Sequence, residues 1–379
     1  MTLEQRNKIM GVIATISRLL LGLVFTFSGF VKIIDPLGTT YKIEDYLHAF
    51  GGFFLKIDIL AFPAAMCLVM LEFVLGLSLL LHIKPKLTPW LLLVFMLFMT
   101  PLTLYIALYN PVSDCGCFGD ALILSNWATF WKNIVLCLLL LLVFLDYKHI
   151  HSLYTPKAEW SLLVLLLVAS LTISIYCLRH LPLLDFRPYK VCADIPALME
   201  IPDDAPHDKY EVSLVYENNG VEKEFTLEDY PRNDSTWHFV KQNRKLVEKG
   251  YEPPIHDFVL VTNGEDPLDI TDEILSSDEP IALLIMYDLS KTNTSLLREN
   301  LDELKDHYDN LYAVTGSGSW AIKEFAENQD LDIPFLTCDP VTLKTIVRAN
   351  PGVIVLQRGR IMEKYNLRDI QNQLKNKLD

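Results

Sequence analysis

Five long apolar runs, near residues 10–34, 57–82, 88–109, 128–147 and 159–181, decide most of what this chain can become. Each reaches the roughly 20 residues that an α-helix needs to cross a hydrocarbon layer. In lipid only a backbone that satisfies its own polar groups can span, so the runs predict five transmembrane helices. They are confined to one half of the molecule. Residues 1–181 carry 12 Lys and Arg against 10 Asp and Glu, while residues 182–379 carry 21 against 37. The first half is therefore near neutral at +2 and the second strongly acidic at −16. Lipid is the expected solvent of the one and water of the other. An acidic soluble half also argues against nucleic acid as a partner.

The short loops set an expected orientation. Arg6 and Lys8, Lys84 and Lys86, and Lys148 and Lys157 lie on alternate sides of successive runs with little competing acid, which places those segments in the cytoplasm. Loop 35–56, gap 110–127 and everything after 181 then fall outside, although Lys42, Lys132, Arg187 and Lys190 run against the rule there. Arg6 and Lys8 before the first run could mark a cleaved signal, but no small-x-small cleavage pattern follows, so it is read as a retained helix. In loop 35–56, Ile43, Tyr46, Leu47 and Phe50 follow helical spacing and end at Gly51 and Gly52, which predicts a short helix lying on the membrane surface or a plain connector. Two ionisable residues sit inside the runs, Arg18 and Glu72. Each is costly alone in hydrocarbon, so a mutual ion pair or a polar cavity is expected.

Seven cysteines stand at 67, 115, 117, 137, 177, 192 and 338, and three of them (Cys67, Cys137, Cys177) lie inside apolar runs as small packing residues. The pair Cys115 and Cys117 occupies the polar gap "DCGCFGD", separated only by Gly116, which accepts the unusual backbone angles a tight ring demands. A disulfide across so few residues is expected to be labile and a better oxidant than a relaxed bridge. Two unrelated reduced cysteines, half of a metal site, and a turn in which the residues merely pack are the competing readings. No second cysteine pair or histidine cluster supplies the further ligands that zinc would need. An outside location favours the redox reading, since disulfides persist there. Asp114 and Asp120 count against it, because nearby carboxylates oppose a thiolate.

The segments "ISRLLLGLVFTFSGFVKIIDPLG", "LEFVLGL" and "CGCFGD" followed by "NWATFWKN" resemble the DoxX/MauE family of redox-associated bacterial membrane proteins, over roughly residues 9–147. The resemblance implies a four-helix membrane bundle, similar in outline to vitamin K epoxide reductase, in the bacterial inner membrane. It also implies an association with disulfide formation or maturation of exported proteins. Carried over by position are Arg18, Gly29, Lys32, Glu72, Cys115, Cys117, Phe118 and Gly119. One departure matters: the reductases use C-x-x-C, and C-x-C is one residue shorter, which tells against a quinone as cofactor. No other cofactor is implied.

Past the fifth run, "LPLLDFRPYKVCADIP" reads as a tether carrying Cys192, which is considered for reach back to the Cys115 and Cys117 gap. "YEVSLVYENNG" and "VEKEFTLEDYP" predict a β-hairpin turning at Asn218, Asn219 and Gly220. From about 250 to 376, strands and helices alternate and close with the hairpin "NPGVIVLQRGRIMEKY", an α/β order. That order resembles thioredoxin-like domains of the TlpA and peroxiredoxin type, with "PPIHDFVL" as first strand and Pro351 as the cis-proline candidate. Where such domains carry catalytic cysteines, residues 288–294 read "DLSKTNT" and hold no thiol. Cys338 is the domain's single cysteine and reads as packed.

The expected organisation is a four-helix membrane domain (1–150), a fifth transmembrane helix (151–185), a linker with a hairpin (186–249) and a thioredoxin-like domain without C-x-x-C (250–379). The expected function is extracytoplasmic thiol-disulfide exchange through Cys115 and Cys117, supported by Arg18, Glu72, Gly116, Phe118 and Gly119. The last domain would dock periplasmic redox or client proteins without catalysis. A non-catalytic assembly protein, and a small-solute or metal transporter, are the alternatives.

Overall fold

The computed structural model describes residues 3–147, 151–218, 220–232, 234–248, 250–264 and 266–375. Lys148, used above for orientation, and Asn219 of the hairpin turn lie outside the described residues. Helices α1 (Leu3–Ile34), α2 (Pro36–Phe50), α3 (Ala61–Leu80), α4 (Thr88–Tyr109), α5 (Asn126–Leu145) and α6 (Pro156–Arg179) form the first half. Five of these, all but α2, belong to stretches long and apolar enough to cross a membrane. The first four of the five make a bundle around Leu21, Phe25, Leu75, Leu79, Leu92, Met96, Leu136 and Leu140. The antiparallel pair α1 and α3 sits closest: a Cβ on Gly29 would stand 2.5 Å from the Phe73 backbone, and one on Gly76 would stand 2.3 Å from the Thr26 nitrogen. Small residues that let backbones touch are what holds helices together where lipid offers no hydrophobic gain. Helix α6 packs outside this bundle, with Cys177 against Ile33, Ile34 and Val69 and the Ser174 hydroxyl donating to the Ile33 carbonyl at 3.1 Å.

Helix α2 starts where Asp35 caps it, accepting from the Gly38 amide at 3.0 Å, with Pro36 in the first turn. It stops at Gly51, whose φ of 63° few other residues would adopt. A 3-10 stretch, Gly52–Leu60, then leads into α3.

The second half begins with a short helix α7 (Ile195–Met199) and a three-stranded antiparallel sheet of order β2-β1-β3, made by β1 (Lys209–Asn218), β2 (Val221–Thr226) and β3 (His238–Glu248). The sequence shows the hairpin but not β3, whose "HFVKQNRKLVE" lacks the apolar alternation of a half-buried strand because most of it is exposed. The α/β domain follows: β4 (Val261–Thr262), α8 (Thr271–Ser276), β5 (Ile281–Ile285), α9 (Thr294–His307), β6 (Leu311–Thr315), α10 (Ser319–Gln329), β7 (Phe335–Thr337), α11 (Pro340–Ile346), β8 (Gly352–Gln357), β9 (Arg360–Asn366) and α12 (Ile370–Lys375). Its six strands run in the order β4-β7-β6-β5-β8-β9. β5, β6 and β7 are parallel neighbours, and β8 and β9 return antiparallel. Alternate residues of β5 feed cores on the two faces: Leu283 and Ile285 one side, Ala282 and Leu284 the other. This is a thioredoxin-like fold, and the Asn350–Pro351 peptide is cis.

Two expectations change here. "PPIHDFVL" is not a strand, since only Val261 and Thr262 pair beyond it; its two prolines lack amide donors, while Ile255, Phe258 and Leu260 are buried in the core. Nor is the tether loose. The Cys192 amide donates to the Ile361 carbonyl at 2.8 Å, Ile361 returns a bond to Ala193 at 2.9 Å, and Tyr189 and Ile195 are buried under the sheet. Cys192 is thus pinned to the edge of β9, exposed, rather than free to reach Cys115 and Cys117.

Candidate functional site

Cys115 and Cys117 are joined in a disulfide with their Cα atoms 5.4 Å apart. The loop that carries them is built by its own neighbours. Asn126 at the start of α5 donates to Asn110 at 3.1 Å and to the Val112 carbonyl at 3.2 Å, which closes the loop's base. Asp114 accepts from the Gly116 amide at 2.7 Å, a side-chain turn that leaves Gly116 at φ 63°. A Cβ there would also meet the Lys42 side chain at 2.8 Å, so glycine is required twice over. Tyr46 of α2 donates to the Cys115 carbonyl at 3.0 Å, and Ser28 of α1 donates to the Cys117 carbonyl. Phe118 is buried against Phe27, with ring centroids 5.8 Å apart. Gly119 takes φ 51° and closes the turn onto the Gly116 carbonyl at 3.1 Å.

Both carboxylates that stood against the redox reading have cation partners. Asp114 pairs with Lys42 at 3.0 Å, and Asp120 pairs with Arg348 at 3.2 Å. Among the described residues, no three His, Cys, Asp or Glu side chains group as a metal site would require.

The intramembrane charges pair differently from the expectation. Glu72 meets Lys32, not Arg18, at 2.6 Å, and both are buried. Arg18 instead donates to the Leu79 and Leu80 carbonyls at the end of α3. The antiparallel register explains this, because Arg18 and Lys32 are 14 residues apart, about 21 Å along a helix at about 1.5 Å per residue. Arg18 therefore reaches the last turn of α3, and Lys32 reaches Glu72 nearer its middle. Lys32 belongs to the disulfide's surroundings and Arg18 does not.

A cavity of about 420 Å³ opens beside the disulfide. Cys115 and Cys117 form part of its wall, with Lys42, Tyr46, Leu47 and Phe50 of α2, Leu102 and Ile106 of α4, and Phe186 and Arg187 of the tether. Two of its lining residues, Phe98 of α4 and Ile123, are 69% and 71% exposed. Mostly apolar walls with a few polar groups are what small-molecule sites share.

The C-terminal domain contacts the cavity residues Asp35 and Asp120 through Arg348, and it presents there the face on which a thioredoxin-like fold would carry cysteines. Asn350 ties that face together: its side chain donates to the Asp288 carbonyl at 2.8 Å and accepts from Thr292 at 3.1 Å, and its carbonyl accepts from the Asn293 amide at 3.2 Å. Beside it, Arg348 is buried and forms a two-oxygen pair with Asp35 at 3.1 and 3.0 Å. Burial alone would raise the Asp35 carboxyl, but Arg348 and Arg187 hold it below its ordinary range. Tyr41 of α2 donates to the Tyr287 hydroxyl at 3.1 Å, and Lys344 lies 4.6 Å from the Tyr41 ring. The face expected to dock other proteins is thus occupied at these residues by the chain's own α2. Cys338 is buried elsewhere in the sheet core, and burial pushes its thiol up to about 12.

These features define a helical membrane protein with a thioredoxin-like domain folded back onto a disulfide loop. Residues 10–146, covering the four-helix bundle and the loop, match the family model described as Methylamine utilisation protein MauE. Residues 210–249, largely β1 to β3, match one described as Domain of unknown function (DUF8463). A search of curated proteins gave no match. Among solved structures, one described as "Solution structure of a putative protein disulfide isomerase from Bacteroides thetaiotaomicron" aligns at 13% identity and a TM-score of 0.25, over 32% of this chain and 83% of that one. The fold assignment rests on the strand order given above.

Proposed function

We propose that the chain is a membrane thiol-disulfide exchange protein whose working pair is Cys115 and Cys117, facing the extracytoplasmic side of a bacterial inner membrane. The observation that carries this is the disulfide itself, set in the wall of a cavity and held by contacts from α1 and α2. A thiolate can attack only a sulfur it can reach, and this one borders open space. The loop after α1, the loop before α5 and the segment after α6 all contact the C-terminal domain, through Asp35, Asp120 and Arg187, which supports their lying on one side as the basic loops predict.

In this reading the C-terminal domain takes no part in the bond exchange, having no thiolate to offer at 288–294. Its contribution is to hold the loop through Arg348. Electrons passing through the pair need a second carrier. A cavity with apolar walls and exposed aromatic edges suits a lipid-soluble acceptor such as a quinone, despite the C-x-C spacing. The test is partner trapping in intact cells: Cys115→Ser and Cys117→Ser, made singly, should between them accumulate a disulfide-linked protein that disappears when both are changed. Absence of any such adduct from both single variants would contradict the proposal.

A further inference from the structure

Next to the large cavity, and sharing Lys32, Met99 and Cys117 with its wall, lies a second space of about 20 Å³. It is lined by Ser28, Lys32, Glu72, Lys132 and Asn133 together with Cys117 and Phe118, but not by Cys115. A space that small has room for about one water molecule, so its charged groups and Cys117 line the same confined volume. Cys117 is 9% exposed and borders both spaces; Cys115 is half-buried and borders only the large one.

The charges that line the small space do not cancel, because two lysines, Lys32 and Lys132, face one carboxylate, Glu72. Lys32 is matched by Glu72 at 2.6 Å and also reaches the Ser28 hydroxyl at 3.3 Å. Outside that space, Lys42 pairs with Asp114, Arg348 with both Asp35 and Asp120, and Arg187 shares Asp185 with Lys364. Lys132 is left over. Its ammonium lies 4.5 Å from the centroid of the Phe118 ring, and among the described residues no carboxylate pairs with it. A lysine less than two turns from the start of a membrane helix would ordinarily extend its stem to the interface. This one turns inward, to the residue next to Cys117.

The structure assigns Cys117 as the sulfur that leaves as a thiolate, Lys132 as the cation that balances its charge, and Cys115 as the sulfur attacked from the large cavity. This rests on the exchange function proposed above. A partner's thiolate adds to Cys115 Sγ, the Cys115–Cys117 bond breaks, and its electron pair stays on Cys117. The product is a mixed disulfide between Cys115 and the partner, with the incoming negative charge moved to Cys117. There it offsets a positive charge that the oxidised state leaves unmatched. In the reverse step the Cys117 thiolate attacks Cys115 and expels the partner's thiolate. Lys132 is a positioning residue, since it acts through the charge on Cys117 and touches no substrate.

The full chain in lipid nanodiscs, carrying Cys115→Ser and reduced, provides the test through the pH dependence of iodoacetamide alkylation at Cys117, read by peptide mass spectrometry. The midpoint should fall at least about one pH unit below the ordinary thiol value of about 8.5. Lys132→Met should raise it by about one unit or more, and Lys132→Arg should leave it low. Cys115 in the Cys117→Ser background should titrate higher than Cys117, and that variant rather than Cys115→Ser should collect the mixed disulfide. A Cys117 midpoint unmoved by Lys132→Met, or a lower midpoint on Cys115, overturns the assignment even if exchange is normal. A low midpoint that rises in Lys132→Met upholds the assignment even where no partner is ever trapped, an outcome that would count against the exchange function instead.

Discussion

Two loops meet near the same interface, and they are opposites. Residues 114–120 carry two cysteines on a helical bundle that has nothing of a thioredoxin fold. Residues 288–294 occupy the place where a thioredoxin-like fold presents its cysteines, and they carry none. In the first loop, glycine conformation and contacts from α1 and α2 go into holding a disulfide against a cavity. In the second, Asp288, Thr292 and Asn293 are knitted to Asn350, and the surface around them is used for contact with α2. On the proposed function, fold and chemistry are separated in this chain, and the fold without reactive thiols serves a geometric role.

The comparison can be broken at either loop. The largest effect on stability is expected at Glu72→Gln, which leaves Lys32 buried and unpaired. Removing one partner of a buried pair costs about 3–5 kcal/mol, whereas replacing both with apolar residues is often close to neutral. Thermal unfolding in detergent should therefore show a large loss for Glu72→Gln and substantial recovery in Lys32→Met with Glu72→Leu.

Arg348→Met comes next and addresses the second loop. It should release the C-terminal domain from Asp35 and Asp120 and speed amide exchange or proteolysis in the tether at 182–188, with the bundle intact. Leaving two carboxylates partly buried without their cation should weaken docking by about 2–5 kcal/mol. A pH series sharpens this. Asp35 is held below its ordinary value of 3.8 when docked, so it contributes docking stability that is complete above 3.8 and lost as the pH falls through the lower docked value. The same acid-induced release should be much weaker in Arg348→Met, where the cation that lowers Asp35 is gone.

The smallest effect is expected at Cys338→Ser. With its thiol pushed up to about 12 by burial, Cys338 is protonated at neutral pH and should resist alkylation until the domain is unfolded. Exchange at Cys115 and Cys117 should be unchanged by the substitution.

Much of the architecture could be read directly from residues. The five spans follow from hydropathy alone, and α2 follows from Ile43, Tyr46, Leu47 and Phe50 at helical spacing. The thioredoxin-like order was visible because β5 and β8 are continuous apolar strands and α9 buries Leu297, Leu301 and Leu304 on one face. What stayed hidden depended on distance along the chain. Arg348 meets Asp35 across 313 residues and Asp120 across 228, and no local pattern announces such a contact. Pairing Arg18 with Glu72 treated scarcity in the spans as a reason for contact. Lys32, in the last turn of α1, is marked in the sequence only by the family resemblance, and nothing local announces it as the partner of Glu72. Lys132 was similarly read only as an exception to the charge rule for loops. The signal for both was their helical phase toward Cys117, which only the assembled bundle makes plain.

The central claim is that Cys115 and Cys117 change redox state as they work. In membranes from cells that express the unaltered chain, trapping with a bulky maleimide should show the pair moving between disulfide and dithiol when cells are challenged with dithiothreitol and then allowed to recover. Both forms should be populated, and the return to disulfide should be complete without added oxidant. A pair that stays in one state throughout, together with an unchanged phenotype when both cysteines are serine, would contradict the account and leave the loop as a structural turn.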